Sequence, residues 1–232
     1  MGSKRSKVYR EAKEKIEDKL YGLKDAVGLL KGFSNAKFDE GIDISFRLGV
    51  DPKYPDQMVR GTVVLPNGTG KVTRVLVIAN GEKQKEAEEA GADFVGGEEI
   101  IDKIKNENWF EYDVIVAAPD MMRHLGKIGK MLGPKGLMPS PKAGTVTMNM
   151  KDTVTEIKKG RVEFRVDKSG IINSSIAKKS FTELQIEENV SDFIGAVLKA
   201  KPISLKGKYV LSLSISSTMS PSVKMNISDF EK

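Results

Sequence analysis

The chain has 232 residues, 39% of them hydrophobic, and no cysteine, so it is long enough for two modest domains and cannot form disulfides or thiolate metal sites. A single histidine, His124, sets aside most histidine-based nucleophilic and metal chemistry, and the lack of any apolar run of about eighteen residues points to a soluble, cytoplasmic protein with no membrane span. The net charge of +6 admits a polyanionic partner without requiring one.

Along the chain, the first thirty residues read as a helix, because Ile16, Leu20, Leu23, Val27 and Leu30 recur by threes and fours on one face before Gly32. "GIDISFRL" then alternates strictly, with Ile42, Ile44, Phe46 and Leu48 on one side and Asp43, Ser45 and Arg47 on the other, which predicts a strand with one wet face. A long connection follows, ending in "RGTVVLPNGTGK". The pattern changes at "RVLVIA", a continuous apolar run that suits a strand buried on both faces. It is followed by the helix "GEKQKEAEEAGA", the short strand "DFVG", the helix "GEEIIDKIKNENWF" and the buried strand "YDVIVAAPD". Alternation returns in "RVEFRV" and "IINSSIAKKSF", predicted to form an antiparallel hairpin around "DKSG". Ser180 with Glu183 reads as a capping box for a helix whose apolar face is Val190, Phe193, Ile194, Val197 and Leu198, and the last regular element is the alternating "YVLSLSISS".

Strands with one wet face thus flank a β-α-β-α-β unit of buried strands. The economical fold combines α/β and α+β: a split two-layer α+β base domain, residues 1–67 plus 161–232, carries an inserted three-layer Rossmann-like α/β domain, residues 68–160. The two crossings contain Gly68, Gly70 and Gly160, whose backbone freedom suits a hinge. Both ends of the chain are basic, with 13 basic against 10 acidic residues in 1–67 and 11 against 8 in 161–232, while 68–160 is balanced at 14 each. That middle is polarised: residues 82–120 hold 12 acids against 4 lysines, and residues 121–151 hold 6 basic side chains and no acid. One end of the insert should therefore repel phosphate and the other attract it.

Several familiar motifs fail. "NGTGKVT" lacks the first glycine and the Ser or Thr of a P-loop and precedes a strand rather than a helix. "IANGEKQKE" lacks the second and third glycines of a dinucleotide fingerprint, and its Glu82 would oppose a pyrophosphate. Carboxylates such as Glu98 and Glu99 sit on a lysine-dotted helix, as a solvated face does. No catalytic constellation, metal set or cofactor loop emerges, so an enzyme is not expected.

The C-terminal strand is more informative. With Leu211, Leu213 and Ile215 facing the core, Ser212, Ser214 and Ser216 form a row of small hydroxyls leading to Ser217, Thr218, Met219 and Ser220. Such a face can meet phosphates, base edges and the 2′-hydroxyl of RNA, although serines are also ordinary on an exposed strand. Lys37 and Phe38 enter the first strand, Arg161 and Arg165 occupy the wet face of the third, and Lys168 lies in the hairpin turn. If these strands share one sheet, hydroxyls, an aromatic and cations converge. Phe38 could stack on a base or sugar, or sit in the core.

The stretches "AKFDEGIDISFRLGVDPKYPDQMVRGTVVLPNGTGK", "MLGPKGLMPSPKAGTVT", "RVEFRVDKSGII" and "STMSPSVKM" resemble, in order and spacing, the bacterial family of large ribosomal subunit protein one, the protein of the mobile stalk beside the tRNA exit site. The resemblance covers residues 5 to 226 or so. It implies an inserted Rossmann-like domain on a split base domain and a cytoplasmic, ribosome-bound monomer. It also implies binding to large-subunit rRNA, help in releasing exit-site tRNA, and repression of its own operon through an mRNA site that mimics the rRNA. Carried over by position, it implies RNA contacts at Lys37, Phe38, Asp167, Lys168, Ser212, Thr218 and Met219. This chain departs from the family at Gly41 (usually Thr or Ser), Val166 (usually Asn) and Ser220 (usually Gly).

The stretch 126–147 carries Lys127, Lys130, Lys135 and Lys142 and no acid. These lysines either face tRNA or rRNA backbone during stalk movement or belong to a structural loop that packs between the domains. The competing classes are a DNA-binding protein, which would need a groove-reading helix less acidic than those here, and a nucleotide-dependent α/β enzyme, which would need the missing glycine fingerprints.

Overall fold

The computed structural model describes residues 7–33, 36–228 and 230. In chain order its elements are α1 (Lys7–Glu14), α2 (Leu23–Gly32), β1 (Gly41–Leu48), β2 (Arg60–Val64), β3 (Val75–Ile78), α3 (Glu82–Glu89), β4 (Phe94–Gly96), α4 (Glu98–Glu107), β5 (Val114–Ala117), α5 (Met122–Lys127), α6 (Gly129–Leu132), α7 (Met150–Lys158), β6 (Arg161–Arg165), β7 (Ile171–Lys178), α8 (Glu183–Lys199), β8 (Val210–Ser217) and β9 (Val223–Met225). They fall into two units, Met1–Gly70 with Val162–Lys232, and Lys71–Arg161.

The larger unit is built on a four-stranded antiparallel sheet in the order β7-β1-β8-β9. The alternation of β1 does what its period requires: Ile42, Ile44, Phe46 and Leu48 are buried, while Asp43, Ser45 and Arg47 remain at least partly open to solvent. The buried face packs against α2 and α8. Ile186, Asn189, Val190, Phe193, Ile194 and Val197 of α8 are buried at helical spacing, and the Phe193 ring meets Phe46 at 6.1 Å and Phe164 at 5.5 Å between centroids. Phe164 belongs to β6, which pairs with β2 in a separate two-stranded sheet. Gly61 on β2 is a close-approach glycine, since a Cβ there would lie 2.7 Å from the Phe164 ring.

The smaller unit has a parallel sheet in the order β4-β3-β5, extended by a parallel bridge between Ala117 and Val146. Every residue of β3 is buried, which requires cover on both faces and gives three layers. The start of the sheet is tied by two carboxylates. Asp93 accepts from the Val75 amide at 2.8 Å, and Asp113 accepts from Lys71 Nζ at 2.9 Å and the Arg74 amide at 3.1 Å. The Lys71 and Arg74 partners hold the Asp113 carboxyl down at about 2, below the usual carboxylate range.

Four local expectations fail for identifiable reasons. The expected N-terminal helix is two helices, because Tyr21 leaves helical geometry to pair with the edge strand β9: its amide donates to the Lys224 carbonyl at 3.0 Å, and its carbonyl accepts from the Asn226 amide at 2.9 Å. The connection before "LPNGTGK" contains a strand, β2. The expected hairpin of β6 and β7 does not form. The turn is present, with the Asp167 amide donating to Ile171 O at 2.8 Å, but β6 pairs with β2 and β7 with β1. The capping box of α8 is Thr182 with Gln185, because the Ser180 hydroxyl and amide are both engaged by the Asp39 carboxylate.

Candidate nucleic-acid interface

The solvent side of the four-stranded sheet is a grid set by strand register. Across β7, β1 and β8 the rows are Ser175–Asp43–Ser216, then Asn173–Ser45–Ser214, then Ile171–Arg47–Ser212, and Lys224 of β9 extends the middle row. At about 3.3 Å per residue and about 4.8 Å between strands, the hydroxyl-rich part spans roughly 13 by 10 Å. It is short-chained and low in net charge, with Arg47 opposed by Asp43, and Lys224 Nζ held 2.7 Å from Asp18. One internal bond, Ser45 Oγ to Asn173 Oδ1 at 2.7 Å, orients the middle row. Ser212, Ser214 and Ser216 are thus together on one face. Leu211 is not in the core as expected; it is 48% exposed. The register shifts between Arg47 and Leu48, so that Arg47 pairs with Ser212 and Leu48 with Val210, and Leu211 has no partner on β1.

At the start of β1 a buried carboxylate builds the rim. Glu40 is 1% exposed. Its Oε2 accepts from Ser217 Oγ at 2.6 Å and the Met219 amide at 3.1 Å, and its Oε1 accepts from the Ala36 amide at 3.1 Å with Lys179 Nζ at 3.7 Å. Burial pushes its pKa up, but the bonds from Ser217, Ala36 and Met219 and the charge of Lys179 outweigh burial and hold the carboxyl below its ordinary value. The consequence is positional, since one carboxylate ties segment 36–40 to the 217–220 turn. Held on either side of that tie, Lys37, Phe38, Thr218 and Met219 are exposed, Phe38 to 55% and Met219 to 61%. Phe38 and Met219 are thus exposed apolar side chains of kinds that can contact a base or sugar.

Thr218 Oγ1 accepts from the Gly41 amide at 3.0 Å and so closes the same rim. A Cβ on Gly41 would sit 3.3 Å from Ser175 Oγ, a tight fit that explains how glycine is accommodated here. Ser220 turns inward. Its Oγ accepts from the Ser217 amide at 2.9 Å and donates to the Pro221 carbonyl at 3.0 Å, so its hydroxyl completes the turn instead of projecting from it. Val166 is 4% exposed and packs in the core.

The remaining sequence-derived residues lie elsewhere. Asp167 and Lys168 are exposed at the opposite end of β1, where the Leu48 amide meets Gly170 O at 2.8 Å, and Asp167 Oδ1 caps the turn by accepting from the Ser169 and Ile171 amides. Arg165 is exposed on β6, in the two-stranded sheet, and Arg161 is engaged by Glu156 at 3.1 Å and Ala143 O at 3.0 Å; neither shares the four-stranded sheet as expected. In the smaller unit Lys127, Lys130, Lys135 and Lys142 are all exposed, and Lys135 Nζ also lies 4.1 Å from the Phe110 ring centroid. Gly68, Gly70 and Gly160 all have positive φ, of 67°, 71° and 103°. Gly68 is nevertheless clamped: buried Asn189 donates to Gly68 O and Ile176 O, both at 2.8 Å, and accepts from the Asn67 amide at 3.2 Å. Among the described residues no group of acidic and histidine side chains could hold a metal ion.

Glu40, Lys179 and Asn189 are the contributors that sequence reasoning missed. Glu40 had a signal: it shares the core-facing parity of Ile42, Ile44 and Phe46, as Ser217 shares that of Leu213 and Ile215, and a carboxylate at such a position demands a buried partner.

The model of the ribosomal protein L1p/L10e family matches residues 30–221. The chain is 54% identical over 230 residues to the large ribosomal subunit protein uL1 of Solibacter usitatus (strain Ellin6076), covering 99% of this chain and 97% of that protein. It is 55% identical over 229 residues to the large ribosomal subunit protein uL1 of Persephonella marina (strain DSM 14350 / EX-H1), covering 97% of this chain and 95% of that one.

Proposed function

This chain belongs to the ribosomal protein L1p/L10e family and is a non-enzymatic structural constituent of the large ribosomal subunit in the cytoplasm, and on that premise we propose that its hydroxyl-lined sheet face and Glu40-anchored rim bind large-subunit rRNA. The observation that carries this reading is the rim: Phe38 and Met219 are presented to solvent by a buried carboxylate that binds both of their segments. An exposed aromatic ring and an exposed methionine on segments already fixed by hydrogen bonds can meet bases or sugars with little further ordering. The neighbouring hydroxyls of Ser212, Ser214, Ser216 and Thr218 suit 2′-hydroxyls and sugar edges, and the near-neutral face favours RNA shape over bulk phosphate charge.

The same surface would take an RNA of like shape in the mRNA of its own operon, which makes the protein a repressor. The smaller unit would assist release of exit-site tRNA, with exposed Lys127, Lys130, Lys135 and Lys142 meeting phosphate. The pivots for that movement would be Gly68, Gly70 and Gly160, all with positive φ.

The test is binding of the full chain to a folded stalk fragment of large-subunit rRNA and to duplex DNA over a salt series. Stacking of one base on Phe38 predicts that Phe38→Ala costs roughly ten- to a hundred-fold in RNA affinity and little in DNA affinity. Thr218→Val should weaken rRNA and operon mRNA together. Equal binding of RNA and DNA with a steep salt slope, unchanged in Phe38→Ala, would show that only phosphate charge is read and would remove the proposal.

A further inference from the structure

The connection from α8 to β8 carries Lys199, Lys201, Lys206 and Lys208 and no carboxylate between residues 199 and 209. All four lysines are exposed, and among the described residues none of them forms an ion pair. The end of α8 accounts for little of this charge, because a helix C-terminus presents only about half a negative charge. Three further cations therefore crowd a short segment, and among the described residues no carboxylate pairs with them.

The segment is not a loose tether. The Lys201 amide donates to Leu198 O at 3.3 Å, the Leu205 amide closes a turn onto Pro202 O at 3.3 Å, and the Leu205 side chain packs against the core. At its end Tyr209, 4% exposed, donates its hydroxyl to Val197 O at 3.0 Å, and its carbonyl accepts from the Gly49 amide at 2.7 Å. The lysines thus stand on a fixed frame. Lys199, Lys201 and Lys208 border a groove of about 560 Å³ whose floor includes Tyr209 and Phe230. Lys208 also borders a smaller cleft with Leu211 and Ser212, the first hydroxyl of the strip on β8. The cationic connection is therefore continuous with the open sheet face at the end of β1 opposite the Glu40 rim.

We infer that Lys199, Lys201, Lys206 and Lys208 form a second RNA contact, which grips phosphate backbone leaving the hydroxyl face. This extension rests on the reading of that face as an RNA surface. The two parts divide the work: the rim and hydroxyls recognise shape and sugar, and the lysines neutralise phosphate and fix the direction in which the strand leaves. RNA is favoured over a protein partner because the segment 199–209 carries four lysines and no carboxylate. Its one exposed apolar side chain, Ile203, stands at the tip of the turn, outside the groove.

The experiment measures rRNA-fragment affinity against salt for the full chain, for Lys201→Ala/Lys206→Ala/Lys208→Ala, for the same three positions changed to Arg, for Phe38→Ala and for Ile203→Ser. Each phosphate contact adds about 0.7 to 0.9 to the slope of log affinity on log salt. The triple alanine variant should therefore lower the slope by about two, the arginine variant should retain it, and Phe38→Ala should lower affinity without changing the slope. An unaltered slope in the triple alanine variant overturns the lysine contact alone, provided Phe38→Ala still weakens binding. If Phe38→Ala is also silent, the reading of the open face falls with it. If Ile203→Ser, and not the lysine variant, impairs entry of the protein into the large subunit, the patch meets a protein and the proposal is wrong.

Discussion

Replacing Glu40 by glutamine keeps the shape of the side chain and removes its charge, and the structure says why that is costly. All four partners of the carboxylate are donors: the Ser217 hydroxyl, the Met219 and Ala36 amides, and the Lys179 ammonium. A carboxylate accepts from all of them; an amide has one accepting oxygen, and its NH2 must face either the Ala36–Lys179 pair or the Ser217–Met219 pair. Ser217 can rotate and accept instead, but a main-chain amide cannot, and Lys179 is left with Phe33 O at 3.1 Å as its remaining partner. At about 1–3 kcal/mol for each buried group left unsatisfied, the loss for Glu40→Gln comes to roughly 2–4 kcal/mol. With a urea slope of about 2 kcal/mol per molar, the unfolding midpoint of the larger unit should fall by about 1–2 M. Urea unfolding followed by residue-resolved amide signals of β1 and α8 reports on that unit, and rRNA affinity is measured on the folded variant in parallel. A midpoint within about 0.3 M of the unaltered chain, together with unchanged RNA affinity, would refute the idea that this carboxylate holds the rim.

Three other outcomes are expected. Because the folded pKa of Glu40 lies below the value of 4.5 for an unperturbed glutamate, its contribution is fully present above pH 4.5 and is lost as pH falls through the folded value; the stability gap between the unaltered chain and Glu40→Gln should therefore be constant near neutrality and close in acid, as pH-dependent urea unfolding would show. Asn189→Ala removes bonds to Gly68 O, Ile176 O and the Asn67 amide, and should cost about 3 kcal/mol and speed amide hydrogen exchange at Asn67 well beyond the change elsewhere in α8. Leu211→Ser should change stability by less than about 0.5 kcal/mol, while Leu213→Ala two residues on should cost about 2–5 kcal/mol in thermal or denaturant unfolding.

Where a segment's environment repeats with its own period, the sequence was legible. The alternation of Ile42, Ile44 and Phe46 marked β1, the unbroken Val75–Ile78 run marked a strand covered on both sides, and Val190, Phe193, Ile194 and Val197 marked the inner face of α8. Misreadings arose where a distant segment competes for the backbone. Tyr21 sits in a helical pattern but satisfies the edge of β9, and the Asp167 turn has hairpin chemistry although its two strands find other partners. Leu211 alternates correctly in the sequence, yet one slipped pair with Leu48 sends it to solvent. The serine row could be placed from strand period alone, whereas Phe38, on the core-facing parity of Ile42 and Ile44 yet exposed, could not, and neither could the rim, since it depends on Glu40 and Ser217 meeting across 177 positions.

The strand order also dictates a schedule. β1 lies between β7 and β8, so it has both of its neighbours made after the whole 71–161 unit. Until then Ile42, Ile44, Phe46 and Leu48 have no sheet to join and must wait, while the contiguous smaller unit can close on its own residues. Every row of the hydroxyl grid takes one residue each from 41–47, 171–175 and 212–216, so no truncated or half-made chain can display it. A growing chain that has not yet reached residues 212–216 therefore lacks the complete face proposed to bind RNA.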